Sequence, residues 1–139
     1  MALAVVALVA GVGVTQAPAA KGAKLSPRLQ LLASPGLVNA SPAAQAQALG
    51  LPSAGPGSLM RAGAKIVVYV RLSSVGPGAR AAASGAGLRI TNVAERYRTM
   101  TGAIEPRRLR SLAALPVVLG VTEALQPRLG VAPPPSVAP

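Results

Sequence analysis

The chain has no Cys, His, Asp, Phe or Trp, and its only acids are Glu95, Glu105 and Glu123. Each absence removes a class of function. Without His, Cys or Asp, proton transfer near neutral pH would rest on a lone Glu or Lys, so the chain reads as non-catalytic. Zinc needs clustered Cys, His or carboxylate ligands and calcium needs several oxygen ligands, so no metal and no other cofactor is expected. With no Cys there are no disulfides to brace a small fold. The aromatics are Tyr69 and Tyr97 alone. A core must therefore be built from Val, Leu, Ile and Ala, without the large area that a ring buries.

What is present falls into four parts. Ala2 to Val14 is an apolar run, shorter than the roughly 20 residues that span a bilayer and of the length of a signal-peptide hydrophobic region. Ala17-Pro18-Ala19 supplies the small-x-small pattern for cleavage before Ala20. Residues 1–19 are therefore expected to be a signal peptide, and the mature chain to be secreted or held in the cell envelope with no stable membrane span. Residues 20–63 begin with a helix signal: Ser26 can cap, Pro27 fits the first position, and Leu29 with Leu32 shares a face. From Ser34 to Gly63 the composition is mostly Ala, Gly, Pro, Ser and Gln, which predicts a disordered linker with at most transient helix over Ala43–Leu49. Residues 126–139 form a Pro-rich tail.

Between these, residues 64–125 change period coherently. Lys65 to Leu72 alternates, with Ile66, Val68, Val70 and Leu72 on one side and Val67, Tyr69 and Arg71 on the other. Ala79 to Ser84 makes a short helix ended by Gly85 or Gly87. Leu88–Arg96 and Tyr97–Ile104 alternate again and predict a hairpin turning near Ala94 to Arg96. Glu105-Pro106 opens a helix with Leu109, Leu112 and Ala113 on one face, Pro116 stops it, and Val117–Thr122 is the last strand. The order βαββαβ predicts a small α+β domain of ferredoxin-like topology, with both helices on one face of an antiparallel sheet and the other face open. Val67 and Tyr69, with Thr99 and Thr101 as neighbours, are the expected partner-binding residues. A core this small gains from a partner that covers that face.

The segment also resembles the prodomains of subtilisin-like serine proteases, the peptidase inhibitor I9 family. The resemblance rests on the strand Ile66 to Leu72, on Val93-Ala94-Glu95-Arg96-Tyr97-Arg98, and above all on the run from Ile104-Glu105-Pro106 through Leu112-Ala113-Ala114-Leu115-Pro116 to Val118 and Val121. It covers less than half of the chain. It implies a folding assistant and inhibitor that packs its open sheet on a subtilisin-like serine protease, in cis or in trans. Tyr69, Thr99 and Thr101 would then touch the enzyme, and residues after Glu123 would approach the active-site cleft.

The formal charge of +11 keeps a rival in view, because an excess of Arg suits nucleic acid or another anionic surface. A GC-rich coding bias would produce the same excess. An RRM domain shares the βαββαβ order but stacks bases on aromatics of both central strands. Here Tyr69 is the single candidate on the first and Thr99–Ala103 offers none on the third, so nucleic acid is the less favoured partner. No spacing supports a Ser–Lys pair such as Ser73 or Ser74 with Lys65, and Gly57 to Lys65 lacks the Gly-Lys-Ser/Thr ending of a phosphate loop.

Overall fold

A computed structural model describes residues 24–128. The elements run α1 (Pro27–Leu32), α2 (Pro42–Leu49), β1 (Arg61–Ala62), β2 (Lys65–Leu72), α3 (Pro77–Gly85), β3 (Arg89–Ala94), β4 (Thr99–Ile104), α4 (Leu109–Ala113) and β5 (Val118–Glu123). Short 3-10 turns cover Glu95–Tyr97 and Pro106–Arg108. The expected signal peptide and all of the Pro-rich tail beyond Arg128 lie outside the described residues.

The protein is a mixed α+β structure around one antiparallel sheet. Strand β2 lies at its centre: β4 pairs with Ile66–Arg71 along one edge, so β1 and β5, which pair with Lys65–Ile66 and Val68–Leu72, share the other. Strand β3 pairs with the far side of β4. The order across the sheet is thus β3, β4, β2, then β5 with β1. Strict alternation on β2 sends Ile66, Val68, Val70 and Leu72 to one face, where each is essentially inaccessible. Met100 and Ile104 of β4 and Val118 and Val121 of β5 join them, and the helices close over this layer with Leu29, Leu32, Ala79, Ala83, Leu109 and Leu112 in the same core. Burying one such Leu, Ile or Val contributes about 1.5–3 kcal/mol, and the aliphatic layer stands in for the missing rings.

Two backbone positions need glycine here. A Cβ on Gly102 would lie 2.6 Å from the Arg89 carbonyl oxygen and 2.9 Å from Leu88 Cδ1, so the β3–β4 hairpin and the Leu88 side chain occupy the space any other residue needs. Gly87, which ends the α3 crossover, has φ +101°, and a Cβ there would meet the Arg108 side chain.

The amino-terminal segment departs from expectation. Ser26 caps α1 as its sequence suggests, accepting from the Leu29 N–H at 3.3 Å, and the Leu29–Leu32 face docks into the common core. Leu25 forms a parallel bridge to Val121, on the edge of β5 away from β2. Residues 34–63, expected to be a disordered linker, instead carry α2, capped by Ser41 and closed by Gly50 in the left-handed region, and they bury Leu49 and Leu59. The physical reason is a polar clamp that composition hides. Gln45 is buried; its amide donates to the Leu37 carbonyl at 2.9 Å and its oxygen accepts from Arg61 Nη2 at 3.1 Å. Burial pushes the Arg61 pKa down, and Gln45 gives that guanidinium a partner, which ties α2 to the sheet through β1.

Candidate docking face

The second face of the sheet is fixed by the same register that builds the core. One cross-strand row runs Asn92, Thr101, Tyr69, Thr122; the next runs Ala94, Thr99, Arg71, Gly120; a third holds Arg89, Ala103 and Val67. Val67, Tyr69, Thr99 and Thr101 therefore stand together on this face, at the centre of it. Tyr69 is 45% exposed, Val67, Thr99 and Thr101 are half-buried, and Ala103 is 2% exposed beneath its neighbours. No described element packs across it: every helix residue in the core belongs to the opposite side.

Two irregularities complete the surface. Between Arg71 and Leu72 the pairing on β5 jumps from Gly120 to Val118, leaving Leu119 as the extra residue of a bulge. A bulge re-aims its side chain, and Leu119 is 56% exposed beside Tyr69 and Arg71 instead of buried. On β3 the register skips Thr91, whose hydroxyl donates to the Thr101 carbonyl at 3.1 Å. Tyr69, Arg71, Thr99, Leu119, Gly120 and Thr122 line a groove of ≈ 460 Å³. A neighbouring groove of ≈ 380 Å³ is lined by Arg71, Leu72, Arg96, Tyr97, Arg98 and Leu119. Among the described residues the large exposed apolar side chains are Leu31, Tyr69, Tyr97 and Leu119, and the last three meet in these two grooves. Such concentration marks an interaction surface more strongly than scattered exposure does.

A larger depression of ≈ 840 Å³ lies on the helical side between α1 and α4, lined by Leu25, Pro27, Leu31, Ala113 and Ala114 with Lys24 and Arg110 at its rim. Lys24 is already engaged there, donating from Nζ to the Leu115 carbonyl at 2.8 Å. It brings together none of the predicted site residues.

The charge on this face is of one sign. Lys65, Arg71 and Arg89 fall on the open face by alternation and register, and no glutamate lines either groove there. Each glutamate is committed elsewhere. Glu95 pairs with Arg80 at 2.7 Å, and Glu105 pairs with Arg107 at the start of the α4 segment. The hydrogen bond and charge of Arg107 hold the Glu105 carboxyl below the usual range. Glu123 accepts from Ser26 Oγ and from Arg28 Nη1, the latter at 3.1 Å. Burial raises its pKa and is the largest single influence, but the hydrogen bonds from Ser26, its own backbone N–H and Arg28 together outweigh it and keep Glu123 ionised.

Sequence periodicity puts Arg71 on the face with Tyr69 and groups Tyr97 with Thr99 and Thr101, but it does not reach Leu119, Arg96 or Arg98. Tyr97 lies in the 3-10 turn before β4 instead of on the strand, Arg96 and Arg98 belong to the same turn, where period-2 reasoning stops, and Leu119 reaches the surface through a bulge that no residue type announces. No family model, no curated protein and no solved structure matches this chain.

Proposed function

We propose that this protein is a non-catalytic binding module that buries the open face of its sheet against another protein, in the manner of the subtilase prodomains that residues 65–123 resemble. The observation that carries the reading is the asymmetry of the sheet: one face is sealed by helices, while the other gathers three of the large exposed apolar side chains around Tyr69 and Leu119. The strand order β3, β4, β2, β5, with α3 and α4 in the crossovers, supports reading the body as ferredoxin-like. Aromatic and Arg side chains are the groups enriched at protein interfaces and their energetic centres, and both types line these grooves. Catalysis has little support in the side chains present. Glu105 and Glu123 are held ionised by their Arg and Ser partners and are poor proton donors at neutral pH.

The partner that the resemblance implies is a subtilisin-like serine protease, in cis or in trans, met outside the cytoplasm if Ala2–Val14 directs export. Binding to the folded form stabilises it by mass action, which suits a core built without rings. The test is to titrate the full chain into a secreted subtilisin-like protease, following hydrolysis of a chromogenic peptide and association by calorimetry. Association that is lost in Tyr69→Asp while the variant remains folded is the expected result. Binding that ignores Tyr69→Asp argues against the face, and the absence of any association or inhibition removes the protease as partner.

A further inference from the structure

The groove at the end of the docking face has the chemistry of an anion site. Three arginines converge on it: Arg71 from the end of β2, and Arg96 and Arg98 from the β3–β4 turn. None of the three has a carboxylate partner among the described residues. The turn's own glutamate, Glu95, is drawn to Arg80 and leaves the cluster uncompensated. Backbone bonds fix the turn, since the Arg98 N–H donates to the Glu95 carbonyl at 3.1 Å and the Leu72 N–H donates to the Arg98 carbonyl at 2.9 Å. Arg98 itself sits at φ 50°, ψ 44°, in the left-handed region that glycine occupies more readily than any residue with a side chain. Arg96 lies over the Tyr97 ring, 5.9 Å from its centroid.

We infer that this groove receives the carboxylates of an acidic, extended segment of the partner protein, whose adjoining apolar side chain enters the Tyr69–Leu119 groove. The two grooves share Arg71 and Leu119, so a single strand of chain passes from one to the other. Guanidinium forks pair with carboxylates in two parallel bonds, and this chain's own three glutamates are all engaged elsewhere. A protein ligand fits better than a nucleic acid strand. Base stacking needs aromatic platforms on the central strands, but β4 presents Thr99, Thr101 and Ala103 there, and Tyr97 lies on the turn and not on a central strand. The inference rests on the docking reading of the same face.

The full chain is titrated by fluorescence anisotropy against a labelled decapeptide alternating Glu and Leu, the same peptide with Gln for Glu, and a labelled single-stranded thymidine oligonucleotide. The acidic peptide is expected to bind and the Gln peptide to bind far more weakly. Arg71→Gln and Arg98→Gly should each lower affinity roughly tenfold, while Arg110→Gln, on the opposite side, leaves it unchanged. Arg98→Gly separates binding from folding, because relief of the left-handed strain predicts a melting temperature no lower than the parent's. Equal binding of the two peptides, unchanged affinity in the Arg71→Gln/Arg98→Gly double variant, or an oligonucleotide that binds tighter than the acidic peptide through the same arginines overturns the inference. Its failure is distinct from that of the docking reading. If protease association ignores Tyr69→Asp while the acidic peptide still needs Arg71, the docking reading falls and the anion site stands; the reverse pattern removes the anion site alone.

Discussion

The two faces of strand β2 are made by neighbouring residues with opposite duties. Val68 and Val70 are sealed against the helices, whereas Tyr69 between them is 45% exposed and lies among threonines and arginines. The sealed face is aliphatic except at its margin, where Arg61 and Glu123 meet partners on α2 and α1; the open face carries the aromatic and Lys65, Arg71 and Arg89. A single alternating strand thus divides the sealed side from the proposed docking side, and a substitution's effect should depend on its parity along β2 and β4 more than on its distance from any groove.

The sharpest way to break this contrast is to truncate one side and charge the other. Ile104→Ala on the sealed face, where the side chain has no exposure, is expected to cost about 2–5 kcal/mol in a denaturant titration. Tyr69→Asp should change stability by no more than about 0.5 kcal/mol while removing association. Similar losses of stability in both variants would mean that the open face is part of the folding core. Next in size is Gly102→Ala. Its new methyl meets the Arg89 carbonyl and Leu88, and overpacking of this kind costs about 1–3 kcal/mol, read as a fall in melting temperature together with shifted amide resonances along β3.

Gln45→Ala tests whether the amino-terminal segment belongs to the sealed side. It strips the half-buried Arg61 of its acceptor and the Leu37 carbonyl of its donor, at a cost of about 1–3 kcal/mol. Faster hydrogen exchange confined to α2 would show the clamp acting locally. The smallest expected effect is that of pH. The Glu123 carboxyl is held below its usual range, so its contribution is complete above the unfolded value of about 4.3. It is lost as pH falls through the lower folded value. Melting temperatures taken through that acid window should fall less steeply in Glu123→Gln, with a residual slope from Glu105, whose pKa is displaced in the same direction. Identical slopes would mean that the Ser26–Arg28–Glu123 contact contributes nothing.

Much of the sheet was legible because its residues obey one period at a time. Strand β2 runs over the expected Lys65–Leu72, the hairpin turns at Glu95–Tyr97, and Ser26 caps α1 as its neighbours imply. Val67, Tyr69, Thr99 and Thr101 share one face because alternation is preserved wherever the pairing is regular. The segment 34–63 was misread for a physical reason: Leu49 and Leu59 are isolated apolar residues in a small-residue background, and what ties their segment to the sheet is non-local, the Gln45–Arg61 bond and the Leu59–Leu125 bridge. The arginine groove was hidden because its parts come from β2 and a turn that is separate in sequence, with Leu119 supplied by a shift in pairing.

The joint between Ser26 and Glu123 spans 97 positions, and with the bridge from Leu25 to Val121 it brings the two ends of the described chain side by side. Among the described elements, synthesis makes α1 first and the β5 strand beside it last. Until β5 leaves the ribosome, Leu29 and Leu32 have no finished surface to rest on, so α1 is made early and secured late. A stall or cleavage before Val118 would therefore leave α1 unseated, a consequence of where β5 lies and not of any weakness in the helix itself.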